Sequence, residues 1–237
     1  MMPQKKFMLP TLITTADGSH SLYVKDLDEH YHSIHGAIQE AQHVFIKTGI
    51  QHLVSQNYTT INILEIGFGT GLNTLLSYLE AEKLNVKLNY TSLEAFPLSA
   101  EIINQLNYVE LISQIEKTSE LNLKEMFQSI HKSEWENKIE LSKNFNVLKI
   151  KNTLQEIKFT STFDLIFFDA FGPRVQPEMW TEENFTKIFD STNQNGCLVT
   201  YCAKGEVKRT LKKVGFILET LPGPPRKREM VRGTKQF

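Results

Sequence analysis

Three glycines on alternate positions, Gly67, Gly69 and Gly71 in LEIGFGTGLN, follow a short apolar run and precede a helical pattern. Glycine there lets the chain turn tightly and lets a ligand approach the backbone, with the first amides of the next helix pointing at it. The spacing is one residue tighter than the dinucleotide fingerprint, and no Lys-Ser/Thr pair follows as a phosphate-binding loop requires. A ligand held by hydrogen bonds rather than charge neutralisation is therefore expected, and an adenosine joined to an amino acid fits better than a diphosphate. Phe68, Thr70 and Asn73 lie on the same turn. Glu94 closes a second apolar run, where a carboxylate can accept both hydroxyls of a ribose. Asp169 ends a third run, FDLIFFDAF, with Gly172 and Pro173 behind it. A carboxylate at the carboxyl end of a buried parallel strand costs free energy unless something uses it. The plain structural reading makes the loop a tight turn, Glu94 a surface acid and Asp169 a cap for the loop or for the helix after Thr181.

Phe171, Met179, Trp180 and Tyr201 fall on or near the same sheet edge and form either a stacking wall for a flat base or ordinary core. From Lys204 to Lys235 there are ten basic residues against three acidic ones, which leaves sixteen basic and twenty-four acidic in the rest. A basic end on an acidic body can hold a polyanion in one orientation, although solvated faces of the last helix and strand would read the same way. His30, His32, His35 and His43 cluster without cysteines, and a metal site is not expected. Cys197 and Cys202, five apart in an apolar run, should point to opposite faces and remain unbridged. No Ser-His-Asp or Cys-His arrangement stands out.

These residues need a scaffold that brings several strand ends together. The 237 residues are 41% hydrophobic with net charge -1, a composition that excludes disorder, collagen and coiled coil. No apolar run approaches the roughly 20 residues that cross a bilayer, and the start, MMPQKKFMLPTL, lacks a secretory core, so a soluble cytoplasmic protein is expected. LPTLITT and SLYV flank the turn dipeptide Asp17-Gly18 and predict a hairpin, and apolar residues from Gly36 to about Val54 recur at helical spacing. INILEIG, LNYTSLEAF, FDLIFFDAF and GCLVTYCA then alternate with helical patterns, as in a parallel sheet covered on both faces. GFILETL and REMVRG predict a closing antiparallel pair, KIELSKN and FNVLKIK an inserted hairpin, and residues 101 to 137 irregular helix. With no linker or repeat, residues 1–237 read as one domain, an extension over 1–58 and a core over 59–237.

EIGFGTGLN, SLEAFPL, FFDAFGPRVQPEMWT and GPPRKREM together resemble the methyltransferase half of the bifunctional bacterial MnmC family, over about Leu64 to Gly233. The resemblance implies an α/β, Rossmann-like class I S-adenosylmethionine-dependent methyltransferase, its mostly parallel seven-stranded sheet carrying an antiparallel C-terminal strand. It also implies methylation of 5-aminomethyl-2-thiouridine to 5-methylaminomethyl-2-thiouridine at the tRNA wobble position. By match, Gly67, Gly69, Gly71 and Asn73 would line the methionine side of the donor, with Phe68 and Thr70 between them; Glu94 would take the ribose and Asp169 the methyl-transfer centre. Where the family commonly shows Gly-Asp, this chain has Lys151-Asn152, so Asn152 would meet the adenine through its carbonyl oxygen, without charge. Phe171, Trp180 and Tyr201 would hold the flipped-out uracil, and Arg226, Lys227 and Arg228 the phosphates of the anticodon stem-loop. The chain ends soon after REMVRG, which suggests a stand-alone methyltransferase without flavin or metal. Asp169, with an ordinary carboxylate pKa of about 3.9, would be a poor base and is expected to aim the nitrogen instead. Two rivals are a same-fold methyl or aminopropyl transferase acting on a small amine, and a non-catalytic RNA-binding module.

Overall fold

In the computed structural model, which describes residues 9–236, the chain opens with the hairpin its turn dipeptide predicts. The reading of the first eight residues as free of a secretory segment lies outside the described residues. Strands β1 (Thr11–Thr14) and β2 (His20–Val24) pair antiparallel around Asp17-Gly18, where Gly18 has a φ of 84° and the Ser19 amide donates to Asp17 Oδ1 at 3.0 Å. The short strand β3 (Glu29–His30) joins β2. The predicted helix follows over residues 37–55, with a π-helical stretch at Gln42–Ile50 between two α-helical turns. Periodicity announced the helix; the wider winding of its middle was not legible in it.

The core is one eight-stranded sheet. Its strands are β4 (Thr60–Ile66), β5 (Lys87–Leu93), β6 (Lys138–Ser142), β7 (Phe145–Ile150), β8 (Phe163–Phe168), β9 (Thr192–Thr200), β10 (Ile217–Pro222) and β11 (Glu229–Thr234). Their spatial order is β10-β11-β9-β8-β4-β5-β7-β6. The five central strands run parallel, whereas β6, β11 and β10 pair antiparallel with their neighbours. The expected count of seven becomes eight because both arms of the inserted hairpin join the sheet, β6 forming its edge. GFILETL and REMVRG form the predicted closing antiparallel pair, β10 and β11, two strands where the resemblance implied one. Residues 101 to 137 resolve into three short helices, Ala100–Ile103, Tyr108–Glu116 and Glu120–Lys132.

Alternation along β4 divides the core between the two faces. Ile61 and Ile63 join the cluster under the N-terminal helix and the helix Leu72–Leu84, while Leu64 and Ile66 join the cluster on the other face. Glu65 falls in line with Ile61 and Ile63 and is fully buried. Cys197 and Cys202 are both free and buried, one in each cluster, Cys197 on β9 and Cys202 two residues past its end. Among the described residues no helix is long and apolar enough to cross a membrane.

Gly49 lets the N-terminal helix lie flush on β8. A Cβ there would stand 3.0 Å from Phe167 Cε1 and 3.3 Å from the Leu165 methyls. Gly49→Ala should therefore destabilise the protein by about 1–3 kcal/mol through overpacking. Denaturant unfolding measures this, and unchanged stability would show the helix is not seated so tightly.

Candidate active site

The carboxyl ends of three neighbouring strands are laced together where β4 turns into its glycine loop. The Gly67 amide donates to Leu93 O at 2.9 Å, and the Asp169 amide donates to Ile66 O at 3.1 Å. Gly67 has a φ of 98°, and a Cβ on it would meet Asp169 O at 2.8 Å. A side chain is thus excluded twice, by backbone conformation and by space. Glu94 is pinned across the loop, its Oε2 accepting the Gly69 amide at 3.0 Å and its Oε1 the Phe96 amide at 2.8 Å. From the first turn of the helix Leu72–Leu84, Asn73 Nδ2 donates to Asp169 Oδ2 at 2.9 Å.

These groups open on a cavity of about 940 Å³. Gly67, Phe68, Gly69, Thr70, Asn73 and Glu94 line the part formed by the glycine loop and the end of β5. Asn152, Asp169, Phe171, Tyr201, Arg226 and Lys227 line the remainder. Gly71 is buried behind this wall, under His131. Asn152 reaches the cavity, and its Oδ1 accepts the Thr153 amide at 2.8 Å, which fixes its orientation and leaves one lone pair.

Trp180 departs from expectation. It is buried against Phe168 and Phe185, does not line the cavity, and donates from Nε1 to Phe171 O at 2.7 Å. It therefore braces Phe171 from behind rather than stacking on a base. Lys227 also departs, being ion-paired with Glu40 and lying 4.5 Å from the Tyr201 ring centre. Arg226 is exposed at the rim, and Arg228, with a 94% exposed side chain, lies outside the cavity beside Glu229.

The N-terminal segment supplies residues that motif reading missed. Tyr31 packs edge-on against Phe171 at 5.1 Å and covers Gly69. His32 lines the cavity between Ser21 Oγ at 3.2 Å and Thr70 Oγ1 at 3.4 Å. Glu40 lines it from the N-terminal helix. One signal was available: the spacing of Ala37, Ala41 and Val44 puts Glu40 on the apolar stripe, where a charge is out of place. Among the described residues no group of three or more His, Cys, Asp or Glu is placed to hold a metal ion.

Burial raises the Asp169 carboxyl to about 7, with a further push from Glu40 and partial relief from the Asn73 hydrogen bond and from Lys227. The ordinary carboxylate expected here is replaced by one that titrates near neutrality. Glu65, bonded by Ser92 Oγ at 2.5 Å and Thr74 Oγ1 at 3.3 Å, is pushed by burial to about 8. Burial lowers His32 and His131 to about 4.

A family model described as S-adenosyl-L-methionine-dependent methyltransferase matches residues 111–236. The chain belongs to this methyltransferase family. It is 30% identical over 220 residues to the tRNA 5-methylaminomethyl-2-thiouridine biosynthesis bifunctional protein MnmC of Idiomarina loihiensis, covering 87% of this chain and 35% of that protein. It is 31% identical to the protein of the same description from Leptospira interrogans serovar copenhageni, covering 89% and 33%. The chain thus spans about a third of the length of the curated relatives it matches. MnmC2 from Aquifex aeolicus shares the fold with a TM-score of 0.77 at 21% identity, covering 97% of this chain and 71% of that one. Spermidine synthase from Thermotoga maritima has a TM-score of 0.57 at 14% identity, covering 98% and 73%.

The methyltransferase site fits the donor that this family uses. The bend at Gly67 leaves no room for a Cβ, Glu94 is fixed at the end of β5, and the buried Asn73 Oδ1 has no partner of its own. Gly67, Gly69, Asn73 and Glu94 would hold S-adenosylmethionine.

The buried acid beneath this site has a measurable consequence. Glu65 is ionised above about 4.5 in the unfolded chain yet keeps its proton up to about 8 when folded. The folded state then binds more protons, so this group's contribution to stability falls as pH rises through that window. The lowered histidines act oppositely, but only between about 4 and 6.5. Melting temperature should decline from pH 6.5 to 8, and Glu65→Gln should flatten that decline. A flat wild-type profile would mean Glu65 is ionised in the fold at neutral pH.

Proposed function

We propose that this protein methylates the aminomethyl nitrogen of 5-aminomethyl-2-thiouridine at the wobble position of tRNA, giving 5-methylaminomethyl-2-thiouridine, with the anticodon stem-loop as partner. The names of the MnmC relatives point to this nucleoside. The observation that carries the reading is Asp169, hydrogen-bonded by Asn73 on the cavity floor beside the glycine bend and titrating near neutrality. Residues 1–237 act in this reading as one methyltransferase unit, with the extension completing the cavity, and neither flavin nor metal takes part.

Bound in the glycine cradle, S-adenosylmethionine supplies an electrophilic methyl group that a neutral amine can take. The chain's own residues must deliver that amine neutral and aimed. An alkylamine is mostly protonated at pH 7, and a carboxylate of ordinary acidity draws its proton weakly. Asp169, raised to about 7 by burial, is better matched: above that pH it is ionised, takes a proton from the entering ammonium, passes it to water and, as a carboxylate again, stabilises the charge that returns to nitrogen. Asn73 fixes the direction of the carboxylate. Phe171, set by Trp180 behind it and Tyr31 beside it, offers an aromatic wall for the uracil, with Tyr201 on the same side. Arg226 at the rim and Arg228 beyond it are exposed and suit phosphates, which position RNA without reading it.

Asp169→Asn should lower kcat by about a hundredfold or more while S-adenosylmethionine still binds, and wild-type kcat/KM should rise with pH through an apparent pKa near 7. Near-normal turnover by the variant would remove Asp169 from the mechanism. Removing Arg226 and Arg228 together should weaken tRNA binding and flatten its dependence on salt; an unaltered slope would turn the basic end away from RNA. The decisive assay incubates the protein with labelled S-adenosylmethionine and tRNA carrying 5-aminomethyl-2-thiouridine, followed by nucleoside analysis. Absence of the methylated nucleoside overturns the proposal.

A further inference from the structure

The acceptor end of the cavity holds two carboxylates and one ammonium, brought from three distant parts of the chain. Asp169 follows β8, Glu40 lies on the N-terminal helix, and Lys227 sits in the loop before β11. Glu40 Oε1 pairs with Lys227 Nζ, and its Oε2 accepts the Ser33 amide at 2.8 Å. Its side chain is only 10% exposed. An acid on the buried face of an amphipathic helix costs stability unless it is paired or put to use. Lys227 offsets that cost for one carboxylate and leaves the other negative charge unmatched.

Lys227 also shows what this corner accepts. Its ammonium rests on the Tyr201 ring at 4.5 Å and against Glu40, while Tyr201 OH donates at 2.8 Å to Ala170 O, next to Asp169. A carboxylate beside an aromatic face is the environment that binds a primary ammonium. Of the other charged or titratable groups around this corner, His32 is held uncharged by burial, burial keeps the Tyr201 proton in place, Glu29 is offset by Arg174 at 4.0 Å, Arg226 is exposed to solvent, and Glu65 lies beneath Asp169 on β4.

We propose that Glu40 is a second acceptor-side carboxylate, receiving the incoming amine as its ammonium cation while Lys227 holds it in position, so that the site selects alkylammonium acceptors over hydroxyls and neutral ring nitrogens. This rests on the amine-methylation reading above. In the step it serves, an N–H bond of the ammonium breaks, the proton joins an Asp169 oxygen and later passes to water, and the amine keeps the electron pair. Glu40, held between the Lys227 ammonium and the Ser33 amide, faces the cation as it enters.

Glu40→Gln keeps the size of the side chain and an acceptor for Ser33. It should raise the KM for aminomethyl-bearing tRNA about tenfold or more, the loss of one charge-assisted hydrogen bond, with S-adenosylmethionine affinity unchanged. It should also move the acid limb of kcat/KM to lower pH, because a negative neighbour of Asp169 is gone, whereas Lys227→Met should move it to higher pH. A merely structural pair would depress both variants without displacing the limb in opposite senses. An unaltered KM and pH profile in Glu40→Gln overturns the inference. A second measurement needs no turnover: propylammonium is titrated into the S-adenosylhomocysteine complex and followed by NMR, with propanol as the uncharged control. Wild type should bind propylammonium and not propanol, and Glu40→Gln should lose that binding. Equal binding by both proteins, including none by either, overturns the inference whether or not tRNA is the acceptor; failure of tRNA methylation with propylammonium still selected would sink only the amine-on-tRNA reading.

Discussion

Gly67 passes so close to the Asp169 carbonyl that a Cβ would lie 2.8 Å from its oxygen, and hydrogen bonds from the Gly67 and Asp169 amides tie the ends of β4, β5 and β8 into one edge. The rest of the site follows from that contact. It goes with a left-handed φ at Gly67, followed by positive φ at Gly69 and Gly71, and the helix Leu72–Leu84 then starts where Asn73 can reach the carboxylate. A bulkier residue would part the strands and move donor side and acceptor side together.

Placing acids at that edge is unfavourable on its own. Glu65 lies in a row otherwise held by Ile61 and Ile63, and Asp169 and Glu40 face the cavity close by. Hydroxyls from Ser92 and Thr74, the Asn73 amide and the Lys227 ammonium each offset part of the desolvation. What is left uncompensated emerges as raised proton affinity, which in the proposed reading suits Asp169 to exchange a proton with an amine near pH 7. Stability and chemistry are thus coupled through the same buried groups.

The extension is as much a part of the cavity as the core. Tyr31, His32 and Glu40 form one wall of it, with Tyr31 over Gly69 and edge-on to Phe171, and His32 beside Thr70. The stretch matched by the family model begins at residue 111, yet the glycine bend, Glu94 and this wall all precede it. A fold shared with other methyltransferases therefore leaves open who the acceptor is, and in the proposed reading Glu40 on this wall, with its partner Lys227, selects it.

The sequence by itself determined the strand, glycine bend and helix, the acids ending β5 and β8, the opening hairpin and the amphipathic N-terminal helix. These are local: each depends on backbone conformation or periodicity over a few residues, which composition and spacing record directly. Tertiary structure alone decided that Trp180 braces Phe171, that Lys227 is tied to Glu40 across 187 residues, and that β6 adds an eighth strand. It alone also set the proton affinity of Asp169, because desolvation and neighbouring charge depend on which distant segments close over a group.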